Sequence, residues 1–268
     1  MSDIVVDICN LSRDFGGGRT ITGGKKPVIR AVKDVSLSIA RGRTLGIVGE
    51  SGCGKSTLAR MVVGLLEPTE GSIRLDGEDV AALSGKDKRA FHRKIQMVFQ
   101  DPLSSLNPRK TVREALEAPL RALTDLDGAA RKARVAELMD IVGLRPEFID
   151  RYPHEFSGGQ CQRIGIARAL AAQPPILVLD EPVSALDVSI QAQVLKLLRE
   201  LQAELGLTYL FISHDLAVVE SLCDEVAVMY FGELVEHAPR EKLFASPAHD
   251  YTRQLLAAVP VPGQRRLH

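Results

Sequence analysis

The sequence predicts an α/β fold with a helical insertion in its middle. Three observations lead there. Short apolar runs alternate with longer amphipathic ones over most of the chain. Ile176-Leu177-Val178-Leu179 is continuously apolar, as a central parallel strand covered on both faces must be. Between Asp101 and Phe156 the texture changes to charged helical patterns, punctuated by Pro102 and Pro108. The 268 residues are 45% hydrophobic, 25% charged and 4% aromatic. That balance excludes disordered, collagen-like and coiled-coil classes and suits one large domain, or a core with an inserted subdomain.

Taken in order, Met1 to Asn10 carries Asp3 and Asp7 and reads as no secretory signal. Gly16 to Gly24 is glycine-rich and reads as a mobile loop. Val32, Val35, Leu37 and Ile39 alternate as in a half-buried strand, and Arg41-Gly42 follows as a turn. Leu45 to Val48 is a buried strand running into a loop at Gly49. From Ser56 the spacing of Leu58, Met61, Val62 and Leu65 is helical. Ser72 to Leu75, backed by Asp76-Gly77, is a strand and turn. Inside the insertion, Val135, Leu138, Met139 and Val142 share a helix face that Gly143 ends. Ile190, Val194, Leu197, Leu198 and Leu201 form another, closed by Gly206. Leu207 to Ile212 is a strand, Val226 to Val235 a hairpin broken at Gly232, and 241–268 a helical or irregular tail. No repeat of about 20–50 residues is present.

Lys+Arg and Asp+Glu are both 34, so the net charge is zero and a strongly basic nucleic-acid binder is disfavoured. The four cysteines, Cys9, Cys53, Cys161 and Cys223, have no metal-ligand spacing and read as free thiols. No run approaches the about 18 apolar residues of a membrane span, so a membrane role requires membrane-embedded partners.

Gly49-Glu50-Ser51-Gly52-Cys53-Gly54-Lys55-Ser56, with Thr57 behind it, fits G-x-x-x-x-G-K-[ST] between an apolar strand and a helical pattern. Glycines let the backbone wrap closely, so that several N–H groups point inward at phosphate oxygens. The charges balance: a triphosphate of roughly −4 meets Mg²⁺, Lys55 and about +0.5 from the helix end, with the Ser56 hydroxyl offered to Mg²⁺. Cys53 is a small filler or a redox-sensitive thiol; beside a positive site it is expected to be alkylatable and protected by ATP.

Asp180 and Glu181 end the apolar strand, about 125 residues beyond the loop. A carboxylate there can hold Mg²⁺, and the next one can orient or deprotonate an attacking water. Ser157-Gly158-Gly159-Gln160 precedes a second helical pattern. It is either a plain capped turn or a second anion-binding helix start, with glycines that expose N–H groups. Two such starts in one chain invite a dimer with nucleotide between unlike surfaces. His214 follows a strand, where ligands of α/β sheets bind, and is either structural or catalytic.

Together these motifs resemble the ATP-binding-cassette (ABC) ATPase family from about residue 4 to 257. Gly49–Ser56 is similar to its Walker A loop and Ile176–Asp180 to its Walker B strand. Gln100 looks like the Q-loop glutamine that contacts Mg²⁺, and Phe156–Gln160 like the LSGGQ signature with Phe for Leu. Ser184–Asp187 looks like the D-loop and His214 like the switch histidine. The resemblance implies a P-loop NTPase (RecA-like) core, 1–100 and 159–240, with an antiparallel β subdomain. It also implies a helical subdomain over about 101–158 and a tail over 241–268. Glu181 and His214 would be catalytic, Ser56, Gln100 and Asp180 would hold Mg²⁺, and Asp187 would join the nucleotide site. Phe15 is either the adenine-stacking aromatic or a core phenylalanine.

Asp101–Arg109, Glu181–Ser189 and Ser246–Leu256 look more narrowly like oligopeptide/dipeptide importer ATPases. Cys161 departs from that pattern, where arginine is common, and implies a slightly altered nucleotide contact. No Cys follows Cys223, which favours the cluster-free member of the usual ATPase pair. The implied partners are a second ATPase, related or identical, and two membrane-spanning subunits at the cytoplasmic face of the cell membrane. An extracytoplasmic solute-binding protein would act indirectly, and no nucleic acid is involved. One rival is a soluble ABC-type subunit of a multi-enzyme complex such as phosphonate breakdown, against which Leu106–Arg109 favours the importer. The other, a nucleic-acid-linked ABC ATPase of repair or translation, is disfavoured by the single cassette, the lack of a long coiled-coil insertion and the zero net charge.

Overall fold

The computed structural model describes residues 3–17 and 27–258; most of the glycine-rich stretch and the end of the tail lie outside the described residues. The chain order is β1 (Ile4–Gly16), β2 (Val28–Ala40), β3 (Thr44–Val48), α1 (Lys55–Val62), β4 (Glu70–Leu75), β5 (Glu78–Asp79), α2 (Gly85–Lys94) and β6 (Ile95–Val98). Then come α3 (Val112–Leu123), α4 (Gly128–Ile141), α5 (Gly158–Leu170), β7 (Ile176–Asp180), α6 (Val188–Leu205) and β8 (Thr208–Ile212). The chain ends on α7 (Leu216–Leu222), β9 (Glu225–Tyr230), β10 (Glu233–Pro239), α8 (Arg240–Ala245) and α9 (Asp250–Ala258).

Two sheets form. One is antiparallel, in the order β2-β1-β4-β5; the other runs β10-β9-β3-β8-β7-β6. In the second, β9, β3, β8, β7 and β6 are parallel and only β10 turns back, so the apolar run at 176–179 is an interior strand. Strand periodicity sends its residues to two separate cores. Ile176 and Val178 join β1, β2 and α1, whereas Leu177 and Leu179 join α3, α4, α5 and α6. The phosphate-loop helix and the Ser157 helix therefore pack on opposite faces of one sheet.

The helices of the second face start where capping side chains permit. Thr111 with Glu114 and Ser157 with Gln160 form reciprocal capping boxes. Asp127, Asp187 and Asp215 cap α4, α6 and α7. Gly206 ends α6 at φ 65° in the left-handed region, as the sequence predicts. No clear periodicity marks β1 or α2: β1 pairs irregularly with both neighbours, and α2 buries only Phe91. Among the described residues no helix is long and apolar enough to cross a membrane.

Candidate nucleotide site at the carboxyl ends of the central strands

The loop after β3 is shaped by glycines that nothing else replaces. A Cβ on Gly49 would lie 2.2 Å from the Met229 carbonyl oxygen, and one on Gly54 2.2 Å from that of Ala31. Both also have positive φ, 149° and 109°. Cys53 N–H donates to the Glu50 carbonyl at 3.3 Å, and Gly232 N–H, from the β9–β10 turn, donates to the Cys53 carbonyl at 2.9 Å. α1 begins at Lys55, one residue before the sequence expectation, with Gly54 at its N-cap, no side-chain cap and no acid in its first turn. Its leading N–H groups are thus left to a ligand, and Thr57 lies in that turn.

Lys55 is buried, and its ammonium donates to the carbonyls of Gly49 at 2.7 Å and Glu50 at 2.9 Å. Its third donor meets only the Cys53 sulfur, at 3.9 Å, a weak acceptor that an anion can displace. The side chains of Glu50 and Ser51 face solvent, as Gly52 does. Burial pushes the Cys53 thiol up, more than neighbouring Lys55 pulls it down. Of the two readings, burial of the side chain favours the small filler over the reactive thiol. Alkylation followed by mass spectrometry should label half-exposed Cys9 well ahead of buried Cys53; first labelling at Cys53 would overturn this.

Ser56 Oγ donates to Asp180 Oδ1 at 2.9 Å, joining residues 124 apart in sequence. Asp180 is buried, and burial raises its carboxyl above the ordinary range more than that hydrogen bond lowers it. A hydroxyl beside a buried carboxylate is an oxygen-only donor set, the chemistry Mg²⁺ takes when phosphates complete its shell. Gln100 Nε2, just past β6, donates to Glu181 Oε2 at 3.0 Å, which leaves its amide oxygen as an acceptor. His214 Nδ1 lies 3.1 Å from the same carboxylate oxygen. Glu181 is buried, while the His214 side chain is 51% exposed. Glu181 N–H still donates to Ile212 across the sheet, with φ at 46°, a left-handed conformation uncommon outside glycine. Three neighbouring strands thus deliver Gln100, Glu181 and His214 to one point.

Other residues singled out in the sequence lie apart from this cluster. Ser157 Oγ and the Gln160 side chain are used on their own helix start, where the first N–H groups have no intrahelical acceptor. Gly158 faces solvent, but Gly159 is buried, and a Cβ on it would meet Ile190 Cγ2 at 2.3 Å. Close packing of α5 on α6, not exposure of its N–H, requires that glycine. Cys161 is buried with its thiol directed to the Pro153 carbonyl at 3.4 Å, so its departure from arginine alters the interior. Asp187 is exposed; N–H groups of Ile190 and Ser189, with the Ser189 hydroxyl, hold its carboxyl below the usual range. Phe15 is 38% exposed with the Arg13 guanidinium 4.9 Å from its ring centre, so the core alternative fails.

Local spacing missed one contact entirely: Glu50 N–H donates to the Tyr251 hydroxyl at 3.1 Å. Nothing in the periodicity of the tail signals it.

The ABC transporter family model matches residues 32–184. This chain belongs to the ABC transporter family. This ABC chain is 50% identical over 266 residues to a probable peptide ABC transporter ATP-binding protein of Sinorhizobium fredii, covering 99% of this chain and 75% of that one. It is 55% identical over 238 residues to the oligopeptide transport ATP-binding protein AppF of Bacillus subtilis, covering 88% and 72%. Among solved structures, the ATP-binding cassette MJ0796, dimeric, post-hydrolysis and bound to ADP and phosphate, superposes with a TM-score of 0.77 at 32% identity. It covers 88% of this chain and 98% of that one. The fold is that of an ABC ATPase cassette, with the phosphate loop at the carboxyl end of β3.

Proposed function

We propose that this chain is the ATP-hydrolysing subunit of an importer for peptides, working at the cytoplasmic face of the cell membrane. The observation that carries the reading is the junction of the phosphate loop with Asp180, Glu181, Gln100 and His214, in a chain 50–55% identical to peptide-transport ATP-binding proteins.

In this reading Gly49–Ser56 and the start of α1 bind the triphosphate, Lys55 supplies a full charge, and Phe15 stacks on adenine. Ser56, Asp180 and Gln100 would hold Mg²⁺, which when bound would supply positive charge against the phosphates. Glu181 orients a water and takes its proton as the oxygen bonds to the γ-phosphorus and the bond to the bridging oxygen breaks. His214, 3.1 Å from Glu181, keeps that carboxylate in place. Catalysis is chiefly positioning and electrostatics.

The core comprises 1–100 and 159–240, the helical subdomain about 101–158 and the tail 241–268. A second ATPase subunit, a related chain or another copy, supplies Ser157–Gln160 and Asp187 to each nucleotide. The separation of α1 and α5 on opposite faces of the sheet supports that arrangement. Two membrane-spanning subunits dock near Gln100–Arg109, where Leu103 is 50% exposed. An extracytoplasmic solute-binding protein delivers cargo.

A tagged pull-down from gently solubilised native membranes, read by mass spectrometry, tests the reading. Two multi-span proteins and a second ATPase are the expected partners. Recovery only from the soluble fraction, with metabolic enzymes attached, would overturn transport and leave the ATPase chemistry standing.

A further inference from the structure

Both backbone polar groups of Glu50 are held, and from different directions. Its carbonyl accepts from Lys55 Nζ at 2.9 Å, and its N–H donates to the Tyr251 phenol at 3.1 Å. Tyr251 stands in the first turn of α9, 201 residues away in sequence. It is buried, and its ring centre lies 4.1 Å from that of Tyr230. Tyr230 ends β9, and the turn behind it supplies the Gly232 N–H to the Cys53 carbonyl. Two connected contacts therefore brace the loop.

The seating of α9 is itself specified. Glu236 on β10 accepts from the N–H groups of Ala248 and His249, at 2.8 and 2.9 Å, one on each carboxylate oxygen. Tyr251 N–H donates to His249 Nδ1 at 3.1 Å. Arg253 Nη1 donates to the carbonyls of Pro247 and Ala248 at 2.8 and 2.9 Å. A nine-residue helix gains little stability from its own hydrogen bonds, so these contacts hold it in place.

We propose that Tyr251 is a positioning residue for the nucleotide site, through which the seating of α9 sets the ATP affinity of the phosphate loop. The proposal rests on the reading of Gly49–Ser56 as an ATP-binding loop. A loop that binds anions through backbone N–H groups binds best when its peptides are already oriented. Freeing Glu50 N–H lowers the fraction of correctly shaped loops, and apparent affinity falls in proportion. Linkage makes the effect reciprocal: ATP must tighten α9 on the loop by the same factor.

The wild type, Tyr251→Phe, Glu236→Gln and Lys55→Ala are compared for ATP Kd, ATPase KM and kcat, unfolding midpoint, and amide exchange across 250–258. Phenylalanine keeps the ring on Tyr230 and loses only the acceptor. Its Kd and KM should rise about 2–10-fold, the ordinary worth of one hydrogen bond. Its kcat should stay within about twofold, because Gln100, Glu181 and His214 are untouched. Glu236→Gln places an amide N–H₂ against a backbone donor and should raise Kd in the same direction. ATP should slow exchange in α9 of the wild type and do so less in Tyr251→Phe.

A wild-type Kd in Tyr251→Phe, with or without a lowered unfolding midpoint, reduces Tyr251 to packing and overturns the proposal. A raised Kd in Tyr251→Phe beside a wild-type Kd in Glu236→Gln overturns the part played by α9. Failure of the wild type itself to bind ATP, or wild-type affinity in Lys55→Ala, would instead overturn the nucleotide-loop reading beneath it.

Discussion

Glu181→Gln is expected to lower ATP turnover by about two to four orders of magnitude while ATP still binds. Gln is close to isosteric, so its side-chain oxygen can still accept from Gln100, and it meets the same backbone demand at φ 46°. What it loses is the ability to take a proton. Nucleotide binding depends on Gly49–Ser56, which the substitution leaves alone. With hydrolysis blocked, ATP-bound dimers should accumulate. Steady-state ATPase assays and light scattering with ATP check both halves. Turnover near wild type would remove Glu181 as the base.

Lys55→Ala should give the opposite pattern. A charge-assisted hydrogen bond to phosphate is worth about 1.5–3 kcal/mol, so losing the ammonium should raise the ATP Kd by about 10–100-fold. The carbonyls of Gly49 and Glu50 also lose the Lys55 ammonium, which loosens the loop further. Binding of a fluorescent ATP analogue measures the change, and unaltered affinity would refute the phosphate-loop assignment. The two variants together separate binding from chemistry: one keeps the ligand and stalls, the other fails to hold it.

The parts of the fold legible in sequence are those whose cause is local. The phosphate loop is readable because its glycines and Lys55 serve one another within eight positions. The strand at 176–179 is readable because burial on both faces demands continuous apolarity. In the sequence Ser56 and Asp180 are related only as two candidate magnesium ligands; the direct bond between them, across 124 residues, is visible only in the structure. By contrast, α2 buries only Phe91 and offers no apolar stripe, and β1 follows two irregular pairings that blur alternation. The reason for Gly159 lies on another helix, at Ile190. Tyr251 meets Glu50 only because the whole sheet brings the tail back to β3, and no window on the sequence contains both.

The order of strands has a mechanical consequence. Glu181 and His214 are mounted after β7 and β8, each pinned by ladder bonds on two sides. Gln100 follows β6, which has a neighbour on one side only. Stiffness therefore falls off toward the margin of the sheet, and of the two groups that meet the Glu181 carboxylate oxygen, Gln100 rides on the compliant rim. Of the chain beyond β6, Ser105 is tied to Arg168 and Leu106 is buried, so the residues between Gln100 and Ser104 are the ones whose displacement would bear on Gln100 alone, with the acid and the imidazole fixed by the sheet.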